Sequence, residues 1–119
     1  PADYRVKNKS SQKIKADNIV LELEKNPDVA KYVGENKGDK TLVIFSAETE
    51  NLIANASGKL QRKNADYVVA NDVTKVGAGF YTDTNVATII SKSGYSVDSG
   101  LVSKDDLAHL ILDTIAKQK

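Results

Sequence analysis

The feature that most constrains the fold is a pair of short apolar runs separated by an amphipathic stretch. "LVIF" at 42–45 is apolar without a break, and "ADYVVA" at 65–70 reads as a second buried strand. The intervening segment 50–64 places its apolar side chains at helical spacing. These side chains are Leu52, Ile53, Ala56 and Leu60. The pattern predicts two strands joined by a helix.

The segment before this unit predicts a further strand and helix. "NIVLELE" at 18–24 starts with β-branched residues and alternates toward its end, which favours a strand. Asn26 is placed as an N-cap, Pro27 as the first helical residue and Gly34 as the stop signal. The sequence therefore predicts a short helix, capped by Asn26, that begins at Pro27 and ends at Gly34.

The segment after this unit predicts a strand, a hairpin and a last helix. "NVATIIS" at 85–91 reads as a strand, and Gly94 marks a turn into "YSVDSG", which indicates a hairpin at the sheet edge. Ser103 and Asp106 are spaced as the N-cap signature of a C-terminal helix. We predict one domain over residues 1–119, a three-layer, Rossmann-like α/β fold with a mainly parallel sheet and a C-terminal hairpin. Because the chain opens at "PADYRV" with no initiator Met, we expect the later part of a larger domain.

Composition narrows the possible partners. The chain has 17 basic and 16 acidic residues, a net charge of +1, so no global field attracts it to nucleic acid or to an anionic membrane. There is no cysteine, which excludes disulfides, thiolate nucleophiles and Cys-based zinc sites. No apolar stretch approaches the roughly 18 residues that span a bilayer. We expect a cytoplasmic protein that binds neither nucleic acid nor membrane.

Polar residues follow the two central strands. Residues 46–49 follow "LVIF", and Asn71 and Asp72 follow "DYVVA". Since ligands of such sheets bind beyond the carboxyl ends of the strands, both groups are expected at one rim. Glu48 and Asp72 could act as a general acid and base or hold Mg²⁺, but carboxylates at strand ends more often cap helices or face solvent.

Three cations lie next to this rim in the sequence. Lys59, Arg62 and Lys63 share one face of the predicted helix, near its C-terminal end, and should form one cationic patch. They could simply offset the helix dipole. A polyanionic ligand, with phosphate the obvious candidate, explains better why like charges stand one turn apart. His109, the one imidazole, lies in the last helix away from the rim, which argues against a histidine-based catalyst.

Five motifs together resemble the family of phosphopantothenoylcysteine synthetases, and the match covers nearly the whole chain. In order they are "QKIK" at 12–15, "KNPDVA" at 25–30, "VIFSAET" at 43–49, "KLQRKNADYVVANDV" at 59–73 and "GAGFYTDTNVATII" at 77–90. The resemblance implies a ligase that joins 4′-phosphopantothenate to cysteine with CTP and Mg²⁺, through an acyl-cytidylate, in coenzyme A biosynthesis. In many bacteria this domain is fused to a decarboxylase, and FMN would belong to that domain, outside this chain.

The resemblance also implies roles for particular residues. Lys13 would be catalytic, assisting formation of the acyl-nucleotide. The nucleotide would be bound by Asp3, Lys13, Pro27, Asp28, Val29, Ala30, Phe45, Lys59 and Lys63. Asn71 and Asp72 remain rim candidates, and the metal ligands are not assigned. The resemblance names CTP as the nucleotide, and the residues themselves do not distinguish CTP from ATP.

One segment is expected to contact a partner subunit. Residues 74–84 contain two glycines and the aromatic pair Phe80 and Tyr81, which a solvated loop would hardly need. In the resembled family this segment reaches across a dimer, so we expect a homodimer with Phe80 buried by the partner. The alternative to this contact is a loop folded back on its own sheet.

The competing hypothesis to a ligase is a nucleotide-binding or dimerisation module without turnover of its own.

Overall fold

The computed structural model describes residues 2–79 and 81–119. Within these ranges the chain forms three helices and six strands. The helices are α1 (Val29–Asn36), α2 (Leu52–Arg62) and α3 (Lys104–Gln118). The strands are β1 (Tyr4–Val6), β2 (Leu23–Lys25), β3 (Val43–Glu48), β4 (Tyr67–Asp72), β5 (Thr84–Ser91) and β6 (Ser96–Ser103).

Four strands form the main sheet, in the order β3-β4-β5-β6. The predicted α/β class is confirmed, and β3 and β4 run parallel, joined by α2. The expectation of a mainly parallel sheet needs correction, because β5 is antiparallel to both β4 and β6. The reason is that residues 73–83 reverse the chain through turns and bends where described, without a crossover helix, and antiparallel neighbours need no such helix.

Helices cover both faces of the main sheet, which confirms the three layers. On one face α2 packs through Ala56 and Leu60 onto Ile44, Val68 and other strand residues. On the opposite face α3 packs in the same way. Its contact is formed by Leu107 and Ile111 against Tyr67, Val69, Ala87 and Ile89. The side chains of β4 alternate between these two cores, as expected of a strand buried on both faces.

The C-terminal hairpin and the last helix cap are confirmed. Gly94 turns the chain between β5 and β6 with φ of +92°, a conformation that favours glycine. The Ser103 hydroxyl accepts a hydrogen bond from the backbone N of Asp106 at 3.0 Å and so caps α3. Among the described residues, no helix has the length and apolar character required to cross a membrane.

The predicted strand at 18–24 is largely wrong. Strand pairing begins only at Leu23, because β1 is three residues long and pairs Tyr4 with Lys25 and Val6 with Leu23. The resulting two-stranded ribbon is separate from the main sheet. The ribbon and the loop that joins its strands leave several large apolar side chains exposed. These are Tyr4, Ile14, Ile19, Val20, Leu21 and Leu23.

Helix α1 begins two residues later than predicted. Its N-cap is Asp28, whose Oδ1 accepts a hydrogen bond from the backbone N of Lys31 at 3.0 Å. Asn26 instead fastens the ribbon, since its side-chain amide donates to the carbonyl of Ala2 at 2.9 Å. Capping spacing alone does not distinguish two Asx residues so close together.

Gly34 is not a stop signal. It lies buried inside α1, and a Cβ at this position would stand only 1.8 Å from the carbonyl oxygen of Lys63. The amide of Asn64 also donates to the Gly34 carbonyl at 3.0 Å. The missing side chain therefore permits a close approach between α1 and the end of α2.

We predict that Gly34→Ala destabilises the domain by about 1–3 kcal/mol, because the added methyl group must displace backbone atoms. Glu35→Ala, at an exposed position of the same helix, is the control and should change the free energy of unfolding by less than about 0.5 kcal/mol. Urea unfolding followed by circular dichroism measures both. Equal stability of the two variants would contradict the close approach.

Candidate functional site

The parallel register of β3 and β4 builds one rim from both strand ends. Glu48 stands level with Asp72, and Ala47 stands level with Asn71. The prediction that the two polar groups share one edge of the sheet is therefore confirmed. The rim is defined here by Ser46, Glu48, Asn71 and Asp72.

The two β4 residues of the rim are engaged in local contacts. Asp72 Oδ1 accepts hydrogen bonds from the backbone N of Thr74, at 3.0 Å, and from its hydroxyl, and these bonds hold the pKa of Asp72 below its ordinary value. Asn71 Oδ1 accepts a hydrogen bond from the side-chain amide of Asn85 at 2.6 Å. Asp72 thus stabilises the turn that follows β4.

Glu48 forms the most buried ion pair at the rim. Its side chain is 7% exposed, and its Oε1 lies 2.7 Å from the Nζ of Lys59. The Ser46 hydroxyl donates to the same oxygen, and Nζ of Lys59 also donates to Ser46 Oγ at 2.7 Å. Burial raises the pKa of Glu48, but hydrogen bonds from Lys59 and Ser46 outweigh it, so the pKa lies below the ordinary glutamate value. Glu48 is therefore ionised at neutral pH.

The three cations at the end of α2, counting its C-cap residue Lys63, do not form the single patch that their spacing predicts. Lys59 turns to Glu48, whereas Lys63 lies 3.6 Å from Asp28 Oδ1, on the loop before α1. Arg62 is exposed. The lysines diverge because each has a different carboxylate within reach, and helical spacing specifies a common face but not the contacts of long, flexible side chains.

A groove of about 700 Å³ lies between the ribbon, α1 and β3. It brings together seven of the nine residues predicted to bind a nucleotide. These are Asp3, Pro27, Asp28, Val29, Ala30, Phe45 and Lys63. Lys59 does not line the groove, and Lys13 lies in the exposed loop between β1 and β2. The volume of the groove is in the range of pockets that hold small molecules, roughly 300–1,000 Å³.

The groove combines an aromatic platform with charge and an apolar wall. Phe45 is 64% exposed although it lies within a strand, so its ring is available to stack on a flat ligand. Lys63 supplies a cation, and Asp28 an anion whose pKa is lowered by the backbone N–H of Lys31 and by Lys63. The remaining wall includes Val33 and Leu42. This composition suits an aromatic ring that carries an anionic group.

Sequence reasoning missed the part that the ribbon plays in the groove. Tyr4, Lys25 and Asn26 line it, and Arg5 donates from Nη1 to Asn26 Oδ1 at 3.2 Å. These contacts depend on the pairing of two three-residue strands, which leaves no readable periodicity. The Ser46 and Glu48 pair could have been found, because residues i and i+2 of a strand share a face.

The other candidate features do not join the groove or the rim. His109 is exposed on α3, with Nε2 3.8 Å from Asp105 Oδ2. In residues 2–79 and 81–119, no group of three or more His, Cys, Asp or Glu side chains is arranged to hold a metal ion. The segment 74–84 runs from the turn after β4 into β5, and its described part forms turns and bends with Gly77 and Gly79 at positive φ; Phe80 lies outside the described residues.

Comparison with known proteins identifies the class to which this fold and site belong. Residues 1–118 match the family described as DNA/pantothenate metabolism flavoprotein, C-terminal domain, and the chain belongs to that family. It is 41% identical over 117 residues to the coenzyme A biosynthesis bifunctional protein CoaBC of Bacillus subtilis, covering 97% of this chain and 29% of that protein. Identity to CoaBC of Vibrio cholerae is 37% over 122 residues, covering 98% and 30%.

Solved structures agree with this assignment. The crystal structure of the C-terminal domain of CoaBC superposes with a TM-score of 0.75 at 34% identity, covering 99% of this chain and 50% of that one. The DNA/pantothenate metabolism flavoprotein from Streptococcus pneumoniae gives a TM-score of 0.68 at 26% identity, covering 89% and 45%. The chain thus spans about three-tenths of the length of its curated relatives and half of the solved domain.

We predict that Lys59→Ala and Lys63→Ala differ in their effect on stability. Loss of Lys59 leaves Glu48 buried and charged without its partner, which should cost about 1–3 kcal/mol. Lys63 pairs with a half-exposed carboxylate, so its loss should cost less than about 1 kcal/mol. Chemical denaturation of the two variants measures the difference, and a Lys59→Ala protein as stable as Lys63→Ala would contradict the pairing at the rim.

Proposed function

We propose that the chain is part of a ligase that joins 4′-phosphopantothenate to cysteine with CTP, in coenzyme A biosynthesis. The observation that carries the proposal is the groove, where seven predicted nucleotide-binding residues from four separate sequence segments line one cavity. The relatives are named as coenzyme A biosynthesis proteins, which supports the same pathway for this chain.

The proposed reaction has two steps. The carboxylate of 4′-phosphopantothenate attacks the α-phosphorus of CTP, forming the acyl-cytidylate and releasing pyrophosphate. The amine of cysteine then attacks the acyl carbon, forming the amide and releasing CMP. Neither step requires a nucleophilic side chain, so the protein must position the reactants and stabilise charge on the phosphoryl oxygens.

The groove and its surroundings offer groups for each of these tasks. Phe45 would stack on the base, and Lys63 would contact the phosphates. Lys13 is proposed to reach the reacting phosphate from the loop that joins β1 and β2. Residues of both these strands line the groove. Mg²⁺ would enter on the nucleotide, because this ion keeps several waters and commonly binds through substrate phosphates.

The proposal concerns only the synthetase reaction. The relatives are named bifunctional, and any FMN-dependent decarboxylase would reside in a domain outside this chain. The three substrates, 4′-phosphopantothenate, cysteine and CTP, are expected to bind at the groove and the rim.

The test uses the full-length gene product that contains this chain. With 4′-phosphopantothenate, cysteine and Mg²⁺, we expect release of pyrophosphate and CMP from CTP, and a parallel assay with ATP measures the nucleotide preference. Binding of CTP without any product would favour the alternative, a nucleotide-binding module without turnover. Absence of both binding and turnover would refute the proposal.

Variants locate the nucleotide in the groove. Lys63→Gln should weaken CTP binding by about 1–3 kcal/mol, the scale of a charge-assisted hydrogen bond. Lys117→Gln, the same change at an exposed position near the end of α3, is the control and should leave binding unchanged. Calorimetric titration of both proteins decides, and equal affinities would remove Lys63 from the nucleotide site.

We further propose a homodimer held partly by residues 74–84. Val76 and Tyr81 are almost fully exposed, at 96% and 103%, which is unusual for large apolar side chains that lie so close together in sequence. The expected burial of Phe80 by the partner stays a prediction, because Phe80 lies outside the residues that the structure describes. A partner subunit that covers this segment would remove the exposed apolar surface from water.

Light scattering on the full-length protein tests the dimer. The double variant V76S/Y81S should weaken association about tenfold or more if the segment contributes apolar contacts. The matched variant Val20→Ser removes an equally exposed side chain from the loop of the ribbon. A dimer lost only in Val20→Ser would place the interface at the ribbon, and a monomeric wild type would exclude the dimer.

A further inference from the structure

Glu48 has no role yet in the proposed function. It is a buried carboxylate, it lies at the functional rim, and the proposed reaction does not use it directly. Its Oε1 accepts hydrogen bonds from the Ser46 hydroxyl and from the ammonium group of Lys59, one of the residues expected to bind the nucleotide. The question is what a buried anion contributes beside a cation that should bind phosphate.

Two of the three N–H groups of the Lys59 ammonium are engaged in hydrogen bonds at the rim. An ammonium group has three N–H donors. One is directed to Glu48 Oε1 and one to Ser46 Oγ, both at 2.7 Å. These two bonds leave the third donor of Lys59 for another acceptor, and the side chain as a whole is 34% exposed. The ammonium is therefore held in one orientation instead of rotating freely at the end of a four-carbon chain.

The pair is also electrically neutral. Glu48 cancels the charge of Lys59 at close range, so Lys59 adds little net attraction for a polyanion. Lys63, by contrast, lines the groove and pairs more loosely with Asp28. The two lysines are thus suited to different tasks: Lys63 attracts the phosphates, and Lys59 directs a single hydrogen bond to one oxygen.

We propose that Glu48 is a positioning residue that, together with Ser46, aims the free N–H of Lys59 at the phosphoryl group that reacts. This inference rests on the proposed ligase function. A donor fixed before the reaction stabilises developing charge without having to reorganise, so its effect falls on the chemical step more than on nucleotide binding. Glu48 itself touches no substrate.

The test is Glu48→Gln in the full-length protein, with steady-state kinetics in CTP. We expect kcat to fall about tenfold or more while KM for CTP stays within about threefold or decreases, because the substitution removes an anion near the triphosphate. Glu50→Gln, the same chemical change on an exposed side chain two residues away, is the control and should behave as wild type. Unchanged kcat in Glu48→Gln would overturn the inference.

A double-mutant cycle separates positioning from general structural support. If Glu48 acts through Lys59, the effect of Glu48→Gln on kcat should vanish in the Lys59→Gln background. Additive losses would mean that Glu48 acts independently of Lys59 and would overturn the inference. Thermal melts of each variant correct every rate for the fraction folded. A wild-type protein without CTP-dependent product would refute the ligase proposal instead, before the variants are compared.

Discussion

The parallel pairing of β3 with β4 is the constraint on which the remaining structure depends. Strand β4 is buried on both faces and β3 on the face that meets α2, so a slip of one residue would turn the wrong side chains of each strand toward α2. The fixed register brings Glu48 level with Asp72 and places Ser46 and Glu48 on the face covered by α2. Lys59 of α2 then meets Glu48 because the same helix that connects the strands also packs on that face.

The groove is built by a second, more local set of contacts. Gly34 lets α1 approach the end of α2. Asn26, just before α1, holds the ribbon in place through its hydrogen bond to the carbonyl of Ala2. The side chain of Phe45 lies on the face of β3 opposite α2. Helix α3 does not cover it there, so it remains exposed and lines the groove together with α1. A close backbone approach and a single amide hydrogen bond thus decide where an aromatic ring becomes available to a ligand.

Much of the fold could be predicted from the sequence, and the successes share a cause. The strands at β3, β4 and β5 and the cap of α3 at Ser103 follow from periodicity and local hydrogen bonding, which neighbouring residues determine. The failures involve distant partners. The strand predicted at 18–24 lacks a long neighbour, Gly34 serves a contact with Lys63, and the direction of β5 depends on the path of residues 73–83. Likewise, helical spacing placed Lys59 and Lys63 on one face but could not show which carboxylate each would reach.

The separation of these two lysines bears on how a nearly neutral chain can handle a polyanion. With a net charge of +1, the protein has no strong overall field, and the Glu48 pair removes a further cation from the local balance. In the proposed ligase, attraction of the nucleotide would then come from the few cations that face the groove or lie on exposed loops, such as Lys63 and Lys13. A neutralised lysine held by two acceptors offers something that free charge does not, namely a hydrogen-bond donor of fixed direction. Since direction matters most where bonds are changing, in the proposed ligase the rim would suit the reacting phosphate and the groove the rest of the nucleotide.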